Sequence, residues 1–236
     1  MPADADQGTA ACWPPFNFRY VSWESVKPWH GIAATITELE QPEIASGHLA
    51  AWVTVGGEGE ESDGTGSWVQ IGVWNRGGVA AMWAIRKADG YQTDTTGNVS
   101  GGVGDDIYVE TISRDHYSLR RIGAVQVGQP IRVAVLEMAS RPGWWRAWLN
   151  GRPVSSPIYL TLTFTSPQPM DAAAEDYNDV PGHGCNHFAY RFSGIAVASR
   201  RGGGAWYERP TGTLESGDHV QGRMLAGPEV GFLATG

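Results

Sequence analysis

The sequence predicts an all-β fold, a sandwich built from antiparallel strands. Three observations point there. From Gly31 onward apolar residues recur with a period of two, as strands with one buried face require. Gly (32) and Pro (14) are abundant while charged residues make up only 18% of the 236, the composition of many short strands joined by tight turns. No run with helical spacing of three and four persists beyond a turn or two, and no internal repeat suggests a propeller or solenoid.

The elements follow in order. Residues 1–30 read as an N-terminal arm, polar at first and then aromatic (Trp13, Phe16, Phe18, Tyr20, Trp23, Trp29). Ile32, Ala34 and Ile36 alternate with Ala33, Thr35 and Thr37 and predict the first strand; 48–56 is the second, and EGEESDGTG is a polar loop. SWVQIGVW (67–74) predicts a strand, with a Gly77-Gly78 turn leading to its expected hairpin partner over 79–86. Residues 89–106 form a Gly/Thr/Asp loop, followed by strands at 107–112, 117–122 and 131–138. The clearest hairpin joins 144–149 to 152–158 through Asn150-Gly151, because a type I′ turn needs positive φ at both central positions. Residues 160–165 read as a strand and 187–199 as the closing strand; before it, Glu175 either projects from the concave sheet face or lies with Asp176 in a solvated turn. The predicted organisation is therefore an arm at 1–30, a sandwich at 31–200 and an irregular tail at 201–236.

The bulk numbers exclude several functions. A net charge of −8 without a Lys/Arg-rich run argues against a nucleic-acid partner, and no apolar window is long enough to span a bilayer. The opening MPADADQGTAACWPP has neither the basic nor the apolar region of a signal peptide. The leading expectation is an extracellular, secreted domain carried here without its leader; a virion-associated or intracellular protein is the alternative. Cys12 and Cys185 suit a single disulfide, the other reading being two unpaired thiols. His183, Cys185 and His187 have ligand-like spacing but no evident fourth partner, and Asp105-Asp106 alone offers too few oxygens for calcium. No metal or cofactor is expected. There is no G-x-S-x-G elbow, and no Gly-rich phosphate loop leads into a helix.

Alternation also divides the 67–74 strand. Val69, Ile71 and Val73 share one face, while Trp68, Gln70, Gly72 and Trp74 share the other. With Trp52 and Trp83, this second face predicts a groove with aromatic walls around one polar group, suited to a peptide or a polysaccharide. The segment from Ala172 to Ser199 sets the acidic pair Glu175 and Asp176 beside a Gly/Pro turn and a well-patterned strand.

Four stretches resemble a known family. LAAWVTVGG, WVQIGV, VGQPIRVAVLEMASRPGWWRAWLNGRPV, and PQPMDAAAED followed by HFAYRFSGIAVAS are similar in order and spacing to the concanavalin A-like jelly-roll group, and more narrowly to the glutamic peptidases (eqolisins) and their actinobacterial relatives. The resemblance covers roughly residues 30–200 and implies a jelly-roll sandwich of two antiparallel sheets. It further implies a cofactor-free, acid-acting peptidase. Glu175 would serve as the general base and acid, Gln70 would donate to the oxyanion, and Asp176 would join the tryptophans in contacting substrate. The sequence departs from the family where Asp176 follows Glu175 in place of a Trp, where Ala84 stands in an acidic position, and where Gly56-Gly57 replaces an Asp. Two other functions fit these residues: a non-catalytic module binding a glycan or surface polymer, and a structural virion-type protein whose arm and tail contact neighbours.

Overall fold

The computed structural model describes residues 17–57, 67–76, 106–113, 116–160, 162, 170–178 and 185–236. The first strands are β1 (Asn17–Ser25), β2 (Gly31–Glu38), β3 (His48–Gly57), β4 (Ser67–Arg76), β5 (Asp106–Ser113) and β6 (His116–Ala124). Then come β7 (Ile131–Glu137), β8 (Trp144–Leu149), β9 (Arg152–Pro153), β10 (Ile158–Tyr159), β11 (Met170–Asn178) and β12 (Ala189–Ala198). The last four are β13 (Trp206–Tyr207), β14 (Gly212–Ser216), β15 (Gln221–Met224) and β16 (Phe232–Thr235). They form a jelly-roll sandwich of two antiparallel sheets. One has seven strands in the order β14-β1-β11-β3-β4-β5-β6. The other has nine, β10-β8-β7-β2-β12-β16-β15, with β13 beside β12 and β9 beside β8.

Period-two alternation builds the interior as expected. Val21 and Trp23 of β1, Leu49, Ala51 and Val53 of β3, and Val69, Ile71 and Val73 of β4 face the second sheet, which returns Ile32, Val133, Val135, Phe192 and Val197. Phe192 and Phe232 stack at 4.4 Å between ring centroids, joining β12 to β16. The Asn75 amide bridges the two sheets, donating to Glu38 Oε1 at 2.8 Å and to the Tyr190 hydroxyl at 2.9 Å. All three residues are buried, so these bonds hold polar groups that water cannot reach. The Asn150-Gly151 turn has φ of 48° and 77°, the signs that a type I′ hairpin demands.

Four sequence expectations change. Part of the predicted arm is β1, which lies inside the seven-stranded sheet between β14 and β11, because Val21 and Trp23 have an apolar face to bury. The predicted irregular tail supplies β13 to β16: β14 extends one sheet beside β1, while β16 lies against β12 in the other. β3 and β5 take both edges of β4, so neither is left for the expected hairpin partner at 79–86, which lies outside the described residues. Finally, of the two readings of Glu175 and Asp176, the solvated turn falls. They belong to β11, between β1 and β3, where cross-strand pairing on both edges overrides the low strand propensity of an Ala-rich segment.

Candidate functional site

The site is built on the outer face of the seven-stranded sheet, the face turned away from the second sheet. Ala50, Trp52 and Ala173, with Trp74 packed against them, form an apolar cluster separate from the interior. Gly72 lies on this floor between Gln70 and Trp74. A Cβ there would sit 1.9 Å from the Ala51 carbonyl oxygen, so only glycine tolerates so close a strand.

Register sets the outward side chains in rows across the strands. One row reads Glu24, Asp171, Thr54, Gln70, Glu110 on β1, β11, β3, β4 and β5. The next reads Ser22, Ala173, Trp52, Gly72, Tyr108. A third reads Tyr20, Glu175, Ala50, Trp74, Asp106. The three expected aromatics Trp52, Trp68 and Trp74 therefore share one face with Gln70, as alternation implies. Trp83 lies outside the described residues.

Gln70 is held on three sides. Its Oε1 accepts from Thr54 Oγ1 at 3.1 Å, and its Nε2 donates to Glu110 Oε2 at 2.6 Å and to the Tyr108 hydroxyl at 3.2 Å. Trp68 Nε1 also donates to Glu110 Oε2, at 3.3 Å. The amide orientation is thus fixed, with its nitrogen turned toward the carboxylate.

The structure does not bring Glu175 to Gln70. Glu175 is in register with Ala50, and Gln70 with Thr54. Four residues along a strand amount to about 13 Å, and the two interstrand spacings across add about 10 Å, too far for one water to touch both side chains. Glu175 instead meets His48, whose Nε2 lies 2.6 Å from its Oε1, both groups being buried. Around them stand Tyr177 at 5.2 Å, Trp74 at 5.7 Å and Phe18 at 6.4 Å, centroid to centroid from His48.

Asp176 is corrected too. As the neighbour of Glu175 on a strand, it points to the opposite face and into the sandwich, where substrate cannot reach it. It is buried beside Arg19, with Nη1 and Oδ2 3.5 Å apart, and it accepts from Asn186 Nδ2 at 2.6 Å. Burial raises its carboxyl, while Asn186 and Arg19 oppose the shift.

The carboxyl in Gln70's row is Asp171. Asp171 is a half-buried residue whose Oδ1 is sealed from solvent with no hydrogen-bond partner. Burial, together with the charge of Glu24 opposite, pushes its carboxyl up to about 8. Burial also raises the Glu24 carboxyl; a hydrogen bond from Ser22 Oγ at 2.8 Å opposes this, and Glu215 adds to it. Asp171 and Gln70 are two strands apart in the same row, about 10 Å between Cα atoms. The short Thr54 side chain lies between them, buried and hydrogen-bonded to Gln70. Asp171, Thr54, Tyr108, Glu110 and His48 escaped the sequence reading. The signal for Asp171 was present, four positions before Glu175 on the same face of a strand, but the Ala-rich stretch between them gave no alternation to mark that strand.

Cys185 is disulfide-bonded, which withdraws its sulfur from the His183/Cys185/His187 ligand pattern. The other cysteine of the sequence, Cys12, lies outside the described residues, as does His183. Among the described residues, no three His, Cys, Asp or Glu side chains gather as metal ligands would, and no helix is long and apolar enough to cross a membrane.

No protein-family model and no curated protein sequence matches the chain. Among solved structures, it is similar to scytalido-glutamic peptidase with a peptide-based transition-state analogue, at 14% identity and a TM-score of 0.49, covering 92% of this chain and 97% of that one. It is similar to SCP-B, a member of the eqolisin family of peptidases, in complex with the tripeptide Ala-Ile-His, at 14% identity and a TM-score of 0.47 over 92% and 96% of the two chains. An alginate lyase in complex with an alginate trisaccharide matches at 13% identity and a TM-score of 0.31, over 92% and 70%. At these identities the likeness concerns fold, and the residue roles rest on the geometry above.

Proposed function

We propose that this protein hydrolyses amide bonds in peptides, with Asp171 moving the proton and Gln70 stabilising the oxyanion. The observation that carries the reading is the row Asp171, Thr54, Gln70, a partnerless carboxyl oxygen facing a clamped amide across one short side chain. Water adds to the substrate carbonyl carbon and gives its proton to the carboxyl system. The C–N bond then breaks, and the departing nitrogen takes a proton from the same system. The substrate oxygen takes the Gln70 N–H now given to Tyr108, the longer of that amide's two donated bonds at 3.2 Å.

Charge supports a peptide over a polyuronate. Glu24, Asp171, Glu175, Glu110 and Asp106 share this face in register. The basic residues that register places on it are His48, bound to Glu175, Arg121, bound to Asp106, and Arg76, in register with His48. A polyanion would meet repulsion here, whereas a neutral or basic peptide would not. A non-catalytic glycan-binding module is favoured by one observation, the aromatic set Trp52, Trp74, Tyr108 and Tyr20 on the same face. The disulfide at Cys185 supports an oxidising, extracellular setting.

The test is cleavage of a mixed peptide library between pH 3 and 9. Asp171→Asn and Gln70→Ala should each lower kcat/KM by 100-fold or more, and Glu175→Gln by far less. Loss of cleavage in Glu175→Gln with retention in Asp171→Asn would overturn the assignment. Binding of neutral oligosaccharides without any cleavage would favour the module.

A further inference from the structure

The carboxyl proposed to move the proton is not alone on its face. Glu24 stands directly opposite Asp171 across the β1–β11 pairing, and both side chains project outward. Facing residues of an antiparallel pair hold their Cβ atoms about 5 Å apart, so the two carboxyl groups are neighbours. Glu24 itself is buried, with one oxygen held by Ser22 Oγ at 2.8 Å. Two like charges this close, out of bulk water, do not both persist near neutral pH unless something offsets them.

The surroundings supply no offset among the described residues. On β3 the facing residue is Thr54, and beyond it on β4 stands Gln70, both neutral. On β14 the titratable neighbour is Glu215, in register with Ser22, whose charge works in the same direction. Along β11 itself the nearest ionisable group on this face is Glu175, which is engaged with His48. Glu110 lies on the far side of Gln70. Arg19 belongs to the inner face, beside Asp176.

We infer that Glu24 is the proton partner of Asp171, the two carboxyls carrying one proton between them and returning to that state after each turnover. Glu24 acts through Asp171 and is a positioning residue. The inference rests on Asp171 being the proton-transferring group of the proposed hydrolysis. When water adds to the carbonyl carbon, the proton it releases passes to Asp171 as Asp171 hands its own proton to Glu24. Asp171 then protonates the departing nitrogen, which also takes the electron pair of the broken C–N bond, and recovers the proton from Glu24. The pair gains one proton and loses one, so its charge is restored without exchange with solvent. The upward displacement of Asp171 to about 8 agrees with a proton retained at neutral pH.

The experiment combines carboxyl carbon NMR of Asp171 with the pH profile of peptide cleavage, in wild type, Glu24→Gln and Glu24→Asp. In wild type at pH 6, Asp171 should be protonated and Glu24 ionised. In Glu24→Gln the Asp171 midpoint should fall by at least one pH unit. If that variant cleaves peptide, kcat should drop at least tenfold with KM little changed, and one limb of the pH profile should vanish; Glu24→Asp should restore it. Wild-type spectra with both carboxyls ionised at pH 6 overturn the inference even if no variant folds. An unchanged midpoint and an unchanged profile in Glu24→Gln overturn it as well. A midpoint that shifts in a wild-type protein that cleaves no peptide sinks the hydrolase reading and leaves the one-proton pair standing.

Discussion

Asp171 and Asp176 show how five positions on one strand separate chemistry from structure. Asp171 faces outward, and its carboxyl is raised to about 8 by burial and Glu24. Because its affinity for protons is higher in the folded chain than in the unfolded one, it stabilises the fold fully below about pH 4, and that stability is lost as pH rises toward 8. Asp171→Asn should remove this dependence, so melting temperatures from pH 4 to 8 should converge with wild type at the acid end and exceed it at the alkaline end. Asp176 faces inward against Arg19. Asp176→Ala removes a buried carboxyl that binds Arg19 and Asn186 and should cost about 1–3 kcal/mol in urea unfolding. The sequence singled out Glu175 and Asp176, but not which face each occupies. That depends on whether the segment is a strand, and three successive alanines give periodicity nothing to act on.

At the scale of elements, pairing decided what composition could not. The Asn150-Gly151 turn and the strands at 131–138 and 144–149 were legible because the turn chemistry and the apolar alternation agree. β1 and β14 to β16 were not, because short strands rich in Gly, Glu and exposed aromatics gain their order from neighbours far away in sequence. Two predictions follow from particular elements. At Gly151 an added Cβ meets nothing within 4 Å, so Gly151→Val tests backbone conformation alone and should cost about 1–2 kcal/mol in urea unfolding. Phe232 is fully buried in its stack on Phe192, and Phe232→Ala should cost about 3–5 kcal/mol, detaching β16 from β12 and raising amide exchange along both.

For the whole molecule, the two sheets are locked by apolar packing and by the Glu38, Asn75, Tyr190 bridge, while the site occupies one sheet alone. Stability and chemistry are therefore separable. Asn75→Ala should lower the melting temperature by leaving buried Glu38 and Tyr190 without their shared donor, yet leave the outward face intact. The same separation explains why the sandwich class could be read from alternation, whereas the row Asp171, Thr54, Gln70 could not. A row across a sheet is a property of register, and register is set by hydrogen bonds among β11, β3 and β4, not by any one stretch of sequence.

The pairing of β1 with β11 joins residues as far apart in the chain as Arg19 and Asp176, 157 positions. Synthesis supplies them in order. Glu24 and Gln70 leave the ribosome well before Asp171, which follows Gln70 by about 100 residues and hence, at 5–20 residues per second, by roughly 5–20 s. During that interval the nascent chain carries the amide of the row without Asp171. A proteolytic activity read from this row would begin only once β11 has been made and has paired with β1 and β3.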